Sequence, residues 1–278
     1  MRWEQGPRSG NVEDRRGLTL IRGGVGGGFG VLAIVIVAAL LGYDPGQVLD
    51  VINGQTTEAP ASAPGAPRPD DKLYDFSTAV LGQTEQVWTQ VFAERGQRYE
   101  PPTLVVYDGI TQTGCGYGQT AMGPFYCPLD RKLYLDLAFF REMDEKLGAS
   151  GDFARAYVIA HEVGHHVQNL EGQMDEQAAS ERGAGGGSVR TELQADCYAG
   201  VWAARDEAAH KVLEPGDVEE ALGAAAAVGD DRLQKARQGE VAPDSFTHGT
   251  SAQRVRWFQR GFAHGRMEDC DTFHAASL

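Results

Sequence analysis

His161-Glu162-Val163-Gly164-His165 carries two imidazoles and a carboxylate at a spacing that only a helix makes useful. Residues four apart on an α-helix share a face, with Cβ atoms about 5–6 Å apart, so His161 and His165 can both reach a metal at about 2.0–2.1 Å. Glu162 then sits beside the metal, where it can serve as general base toward a zinc-activated water. The residues leading into the motif, Asp152-Phe153-Ala154-Arg155-Ala156-Tyr157-Val158-Ile159-Ala160, contain neither Pro nor Gly. Asp152 fits an N-cap, and Phe153, Tyr157 and Ala160 recur at helical spacing. The motif is therefore expected on a helix.

A catalytic zinc takes three protein ligands and keeps its fourth position for water, so a third ligand is required downstream. Glu192-Leu193-Gln194-Ala195-Asp196 supplies the best candidate. Ser188 can cap a helix over residues 189–202 on which Glu192 and Asp196 are i,i+4 neighbours. Glu192 is expected to bind the metal. Asp196 is expected to accept the second ring N–H of His161, the support that zinc-ligating imidazoles usually have.

With these residues in place, the chain resembles a known bacterial family, the neutral zinc metallopeptidases. The matching blocks are Met1-Arg2-Trp3, Asn11-Val12-Glu13-Asp14-Arg15-Arg16-Gly17, Cys115-Gly116, His161-Glu162-Val163-Gly164-His165-His166-Val167-Gln168, Glu192-Leu193-Gln194-Ala195-Asp196-Cys197, and His248-Gly249-Thr250 followed by Arg254-Val255-Arg256-Trp257-Phe258. The resemblance implies a membrane-anchored, zincin-like enzyme. Its pairing of HExxH with a downstream ExxxD is similar to the glutamate-zincin pattern, with Glu192 as third ligand and Asp196 behind the histidine. The two motifs are separated here by a Gly-rich insert. The run Gly183-Ala184-Gly185-Gly186-Gly187 within it does not follow a strand and lacks the Lys-Ser/Thr of a phosphate loop, so it reads as a flexible insert near the site.

Toward the N-terminus, residues 23–43 contain no charged residue, and Val31-Leu32-Ala33-Ile34-Val35-Ile36-Val37-Ala38-Ala39-Leu40-Leu41 is almost wholly aliphatic. Such a stretch is about long enough to span a bilayer. Arg15, Arg16 and Arg22 precede it and Asp44 and Asp50 follow, so the positive-inside rule predicts a single-pass signal anchor in the cell membrane. Residues 1–22 would then be cytoplasmic and the catalytic domain extracytoplasmic. A cleaved signal peptide and a buried core helix are the competing readings; the long charged leader and the glycines at 23–30 weigh against them respectively. Residues 44–71 follow as a linker, with Pro60, Pro64, Pro67 and Pro69 among Ala, Thr, Ser and Gly, a composition that cannot order itself by burial.

Residues 72–278 suffice for one domain with a substantial core. A helix is expected over 76–95, a strand at Thr103-Leu104-Val105-Val106-Tyr107, and strands at Phe125-Tyr126-Cys127 and Leu133-Tyr134-Leu135 joined by a turn at Pro128-Leu129-Asp130-Arg131. Helices are expected over 137–147, at the two zinc motifs, and over 217–231 and 252–262. The predicted class is α+β, mainly helical with a small sheet toward the N-terminal side, preceded by one transmembrane helix. The hairpin over 125–135 can offer an edge strand to an extended peptide.

The four cysteines, Cys115, Cys127, Cys197 and Cys270, lack Cys-x-x-Cys spacing and favour disulfides. Pairing Cys115 with Cys127 and Cys197 with Cys270 would contribute about 3 and 4.5 kcal/mol by chain entropy, although other pairings stay open. His248, before Gly249-Thr250-Ser251, is either a donor to a developing oxyanion or a surface or capping residue. His166, about 100° off the metal face, is expected to pack rather than ligate. A net charge of −14 and a pI near 4.9 argue against nucleic acid as a partner. The expected function is a Zn2+-dependent peptidase acting on a peptide or protein substrate, with His161, His165 and Glu192 as ligands and Glu162 as base. The alternative is a catalytically silent, membrane-tethered zinc-fold binding or scaffold protein.

Overall fold

Five consecutive residues, Thr103-Leu104-Val105-Val106-Tyr107, are apolar enough to be covered on both faces, and they form an inner strand of the main sheet. In this computed structural model, which describes residues 1–17, 71–174 and 180–278, that strand is β2. It lies between β1 (Val12–Asp14) and β6 (Lys132–Asp136) and runs parallel to both. The edge strand β5 (Phe125–Cys127) is antiparallel to β6, with Tyr126 opposite Leu133. Between β2 and β5 the chain makes a separate antiparallel hairpin, β3 (Ile110–Thr113) and β4 (Gly116–Gln119).

Helices supply most of the remaining regular structure among the described residues. α1 (Asp71–Glu94) buries Phe76, Val80, Val87, Trp88, Val91 and Phe92, a stripe at helical spacing. After β6 come α2 (Ala138–Glu142), continued by a π turn, and then α3 (Asp152–Leu170), which carries the His-Glu-x-x-His motif. α4 (Gly187–His210) carries Glu192 and Asp196, and α5 (Asp217–Ala227), α6 (Asp230–Gln238) and α7 (Ser251–His264) follow. α7 starts with a capping box in which Thr250 and Gln253 satisfy each other's backbone N–H. The N-caps of α3 and α4 are Gly151 and Gly186, one and two residues before the expected caps Asp152 and Ser188.

Two close approaches set the position of the future site. A Cβ on Gly261 of α7 would lie 1.9 Å from the Cys197 carbonyl oxygen of α4, and one on Gly200 would lie 2.1 Å from that of Phe258. Only glycine permits backbones to meet this way. Gly164, inside the motif, does the same between α3 and α4, since a Cβ there would lie 2.9 Å from the Ala195 carbonyl oxygen. Three helices are thereby drawn together around Asp196.

The α+β class and the small sheet agree with expectation, but the preceding transmembrane helix does not. Among the described residues no helix is long and apolar enough to cross a membrane, and the expected span at 23–43 lies outside them, as does the linker up to residue 70. The flanks of that stretch supply the physical reason for the correction. Residues Met1–Arg16 and Pro69–Leu278 form one compact unit. β1 pairs with β2, Trp3 is buried and donates its indole N–H to Asp152 at the start of α3, the Met1 ammonium pairs with Asp217 at 3.1 Å, and Arg16 lies 3.5 Å from Asp71. A single crossing would place residues 1–22 and the catalytic domain on opposite sides of a bilayer. One packed unit cannot be so divided, and the single-pass, extracytoplasmic placement is therefore withdrawn.

Two further differences are local. The helix expected over 217–231 breaks at Val228-Gly229, so that Asp230 opens α6 instead of closing α5. Strands β1, β3 and β4 were not anticipated: β1 is three residues long and held by partners distant in sequence, and β3 and β4 are short and polar.

The α4–α7 contact makes a testable statement about stability. Gly261→Ala should cost about 3 kcal/mol, the upper range for overpacking, and lower Tm by about 6–12 °C. Gly223→Ala, on α5 with nothing within 4 Å of its new methyl, should be neutral or stabilising by up to about 1 kcal/mol. Equal thermal unfolding of the two variants would contradict the close-approach account.

Candidate metal centre

His161 and His165 stand one turn apart on the face of α3 that meets α4. Their rings are 4.8 Å apart and nearly perpendicular. From α4, Glu192 places one carboxylate oxygen 3.1 Å from His161 Nε2 and the other 3.5 Å from His165 Nε2. The three side chains are 8%, 11% and 19% exposed, so the site is sheltered yet reachable. All three ligand-type atoms lie within 4.8 Å of one another.

This set fits zinc. An ion held tetrahedrally at about 2.0–2.1 Å from its ligands separates those ligand atoms by about 3.3–3.4 Å, and with one Glu192 oxygen 3.1 Å from His161 Nε2 and the other 3.5 Å from His165 Nε2 the carboxylate is within reach of an ion held by both rings. The other ring nitrogens are already engaged. His161 Nδ1–H donates to Asp196 Oδ1 at 2.9 Å, and His165 Nδ1–H donates to Gln168 Oε1 at 2.8 Å. Both Nε2 atoms are left aimed at the common point.

Behind the ligands lies a buried polar cluster. Asp196 is wholly buried and accepts from the Tyr157 hydroxyl at 2.5 Å, and from His161 Nδ1 and from Arg254 Nε and Nη2 at 2.9 Å each. Burial presses the Asp196 carboxyl upward, but Arg254 and His161 outweigh it and hold its pKa below the ordinary carboxylate value. Burial likewise opposes charge on His161, yet Asp196 and Glu192 dominate and raise it to about 10. Glu192 is held well below its ordinary value: burial acts against this, while the charges of His165 and His248 and the hydrogen bonds from both ring ligands favour it.

Glu162 follows His161 at the margin of the site, 9% exposed, and among the described residues no hydrogen bond engages its carboxylate. His248 lies in the loop before α7, half-exposed, with Nδ1 3.4 Å from Asp230 and 2.9 Å from the Thr247 hydroxyl. Asp230 also accepts the backbone N–H groups of Thr247, His248 and Gly249, so one carboxylate shapes the whole loop. The pKa of His248 is raised, first by its bond to Asp230 and then by the charge of Glu192.

His166 stays off the metal face. It donates Nε2–H to the Glu100 carbonyl and accepts the Tyr126 hydroxyl, and burial lowers its pKa to about 4. The disulfides are Cys115–Cys127, which ties the β4 hairpin to β5, and Cys197–Cys270, which ties α4 to the turn after α7. Of these, only the second borders the site.

Residues of a family described as "Putative neutral zinc metallopeptidase" match this chain over positions 1–273. The chain belongs to that family. It is 48% identical to the uncharacterized protein YpfJ of Escherichia coli K12 over 284 aligned positions, covering 98% of this chain and 99% of the relative. It is 42% identical to uncharacterized proteins of Mycobacterium bovis and Mycobacterium tuberculosis, covering 87% of this chain and 86% of each relative. No solved structure matches it.

Sequence reasoning missed Tyr157, Gln168, Gln194, Asp230 and Arg254. Two of these carried a legible signal. Gln168 stands at i+7 from His161 on the ligand face, and Arg254 shares the apolar stripe of α7 with Trp257, Phe258 and Gly261. A polar side chain on a buried face requires a partner.

Because His161 in the metal-free chain holds its proton up to about pH 10, an incoming ion must displace it. Zinc affinity should therefore rise with pH across roughly 7–9, with at least about one proton released per ion. Calorimetric titration in two buffers of different ionisation enthalpy measures that release, and a heat independent of buffer would contradict it.

Proposed function

We propose that the chain is a zinc-dependent peptidase in which His161 Nε2, His165 Nε2 and Glu192 hold the ion and Glu162 is the general base. The observation that carries this reading is the convergence of three ligand atoms, with both Nδ1 atoms already committed elsewhere. Among the described residues three ligands converge rather than four, which leaves a position for water and favours catalysis over a purely structural site. A bound zinc would lower the pKa of water toward about 7 and polarise a carbonyl. Glu162 accepts the proton of the attacking water and passes it to the leaving amine. His248, whose protonated form Asp230 favours, donates to the oxyanion that develops on the carbonyl.

The substrate we infer is an extended polypeptide. β5 is an edge strand whose outer side pairs with no strand among the described residues. Its Tyr126 hydroxyl accepts from Asn169 and donates to His166, both on α3, so the edge is fixed to the zinc helix itself. Pairing along β5 would use main-chain hydrogen bonds and tolerate varied side chains. The scaffold reading has no feature of the site in its favour.

Glu162→Gln should keep the parental zinc content and lose about 10²- to 10⁴-fold in kcat on a mixture of denatured protein and peptides followed by mass spectrometry. Cleavage by both proteins would remove Glu162 from its role. Zinc in both with cleavage by neither would remove the peptidase reading for those substrates.

The second expectation concerns pH. With its Nδ1 turned toward Asp230, His248 has an N–H on Nε2 as well only in its protonated form, and Asp230 is the first cause of its raised pKa. Asp230→Asn should therefore move the alkaline limb of kcat/KM to lower pH, toward about 6.5. An unmoved limb would separate His248 from the chemistry.

A further inference from the structure

We infer that Gln168 and Gln194 are positioning residues that couple metal ligand His165 to the C-terminal disulfide, so that closure of Cys197–Cys270 governs metal retention. The inference rests on the zinc site proposed above.

The connection can be followed atom by atom. His165 Nδ1–H donates to Gln168 Oε1 at 2.8 Å. The Gln168 amide then donates to the Thr191 carbonyl at 2.8 Å and to Gln194 Oε1 at 2.9 Å. The Gln194 amide donates in turn to the Cys270 carbonyl at 3.1 Å. A Gln oxygen can only accept and its nitrogen can only donate, so the direction of the relay is fixed from end to end. Both glutamines are buried, at 0% and 2% exposure, which means that a broken link is not replaced by bulk water.

The far end of the relay depends on the tail. Cys270 lies in the turn Met267–Cys270, beyond the last long helix, and its disulfide to Cys197 holds that turn against α4. Thr272 donates to the Arg190 carbonyl at 2.7 Å, and Arg190 donates to the carbonyls of Phe273 and Ala275 at 3.3 Å. Those contacts lie on the residues after Cys270. The carbonyl that ends the relay is therefore placed by the crosslink together with the tail.

The two histidine ligands are thus supported differently. His161 leans on the ionised Asp196, which Arg254 keeps charged, whereas His165 leans on a neutral amide whose own alignment depends on two further neutral partners. A neutral acceptor fixes ring orientation without contributing a full charge, so orientation is what the relay supplies. Reduction of the disulfide by a trialkylphosphine, with water, gives two thiols and the phosphine oxide. This would release the turn, the Cys270 carbonyl and then the amide plane of Gln194.

The test uses the full chain loaded with zinc, competed against a colorimetric chelator. Gln194→Met, which keeps volume but cannot bond to either partner, and Cys197→Ser with Cys270→Ser should each raise the zinc Kd about 10- to 100-fold, the usual cost of a lost outer partner. Cys115→Ser with Cys127→Ser should leave it unchanged. Cobalt-substituted Gln194→Met should show shifted d–d bands, which a loss of folding stability alone does not produce. Should the serine pair fail to fold, Gln194→Met and phosphine reduction of the parent still decide the matter. Parental affinity and spectrum in a folded Gln194→Met chain would overturn the relay. A parent that binds no zinc would instead overturn the site on which the relay stands, and the relay with it.

Discussion

Asp196 is a carboxylate with no exposure to solvent, and a buried charge of this kind persists only when it is fully met. Four donors meet it: His161 and Tyr157 from α3, and the two nitrogens of Arg254 from α7. The pair adds little net stability over an apolar replacement of the same volume, but removing one partner alone would cost about 3–5 kcal/mol. Its value is geometric. Three helices distant in sequence must reach fixed positions before the charge is satisfied, and the same positions bring His161, His165 and Glu192 together.

Packing makes that arrangement possible. The glycines at 164, 200 and 261 let α3, α4 and α7 approach at backbone distance, without which Arg254 would not reach Asp196. Arg254 also decides which nitrogen of His161 faces Glu192 and the candidate metal site. By keeping Asp196 ionised it commits Nδ1–H to the carboxylate and leaves Nε2 for the site. Sequence, helix crossing and ligand tautomer are in this way one chain of causes.

The histidine motif and the Glu192–Asp196 pair were legible because each is local: a spacing of four residues on a helix has one geometric meaning. The strands at 103–107, 125–127 and 132–136 were legible for the same reason, and the two disulfides link the cysteines in the order that short loops favour. The partners of Arg254 and Gln194 were not, since they lie 58 and 76 residues away, even though the place of Arg254 on an apolar helix face shows that it needs one. The N-terminal reading failed on the same ground. A run of apolar residues at 23–43 suggests a crossing by itself, but that Val12-Glu13-Asp14 pairs with Leu104-Val105-Val106 is a long-range fact. Asp230 illustrates a third case, where a helix-forming stretch is interrupted at Val228-Gly229 and the carboxylate that opens the next helix holds the His248 loop.

Diffraction from crystals of the zinc-loaded chain, measured on both sides of the zinc absorption edge, tests this account most directly. The account predicts one anomalous peak bound by Nε2 of His161, Nε2 of His165 and the carboxylate of Glu192, with Asp196 and Gln168 still on the two Nδ1 atoms. A peak elsewhere, ligation through Nδ1, or a fourth protein ligand closing the site would contradict it.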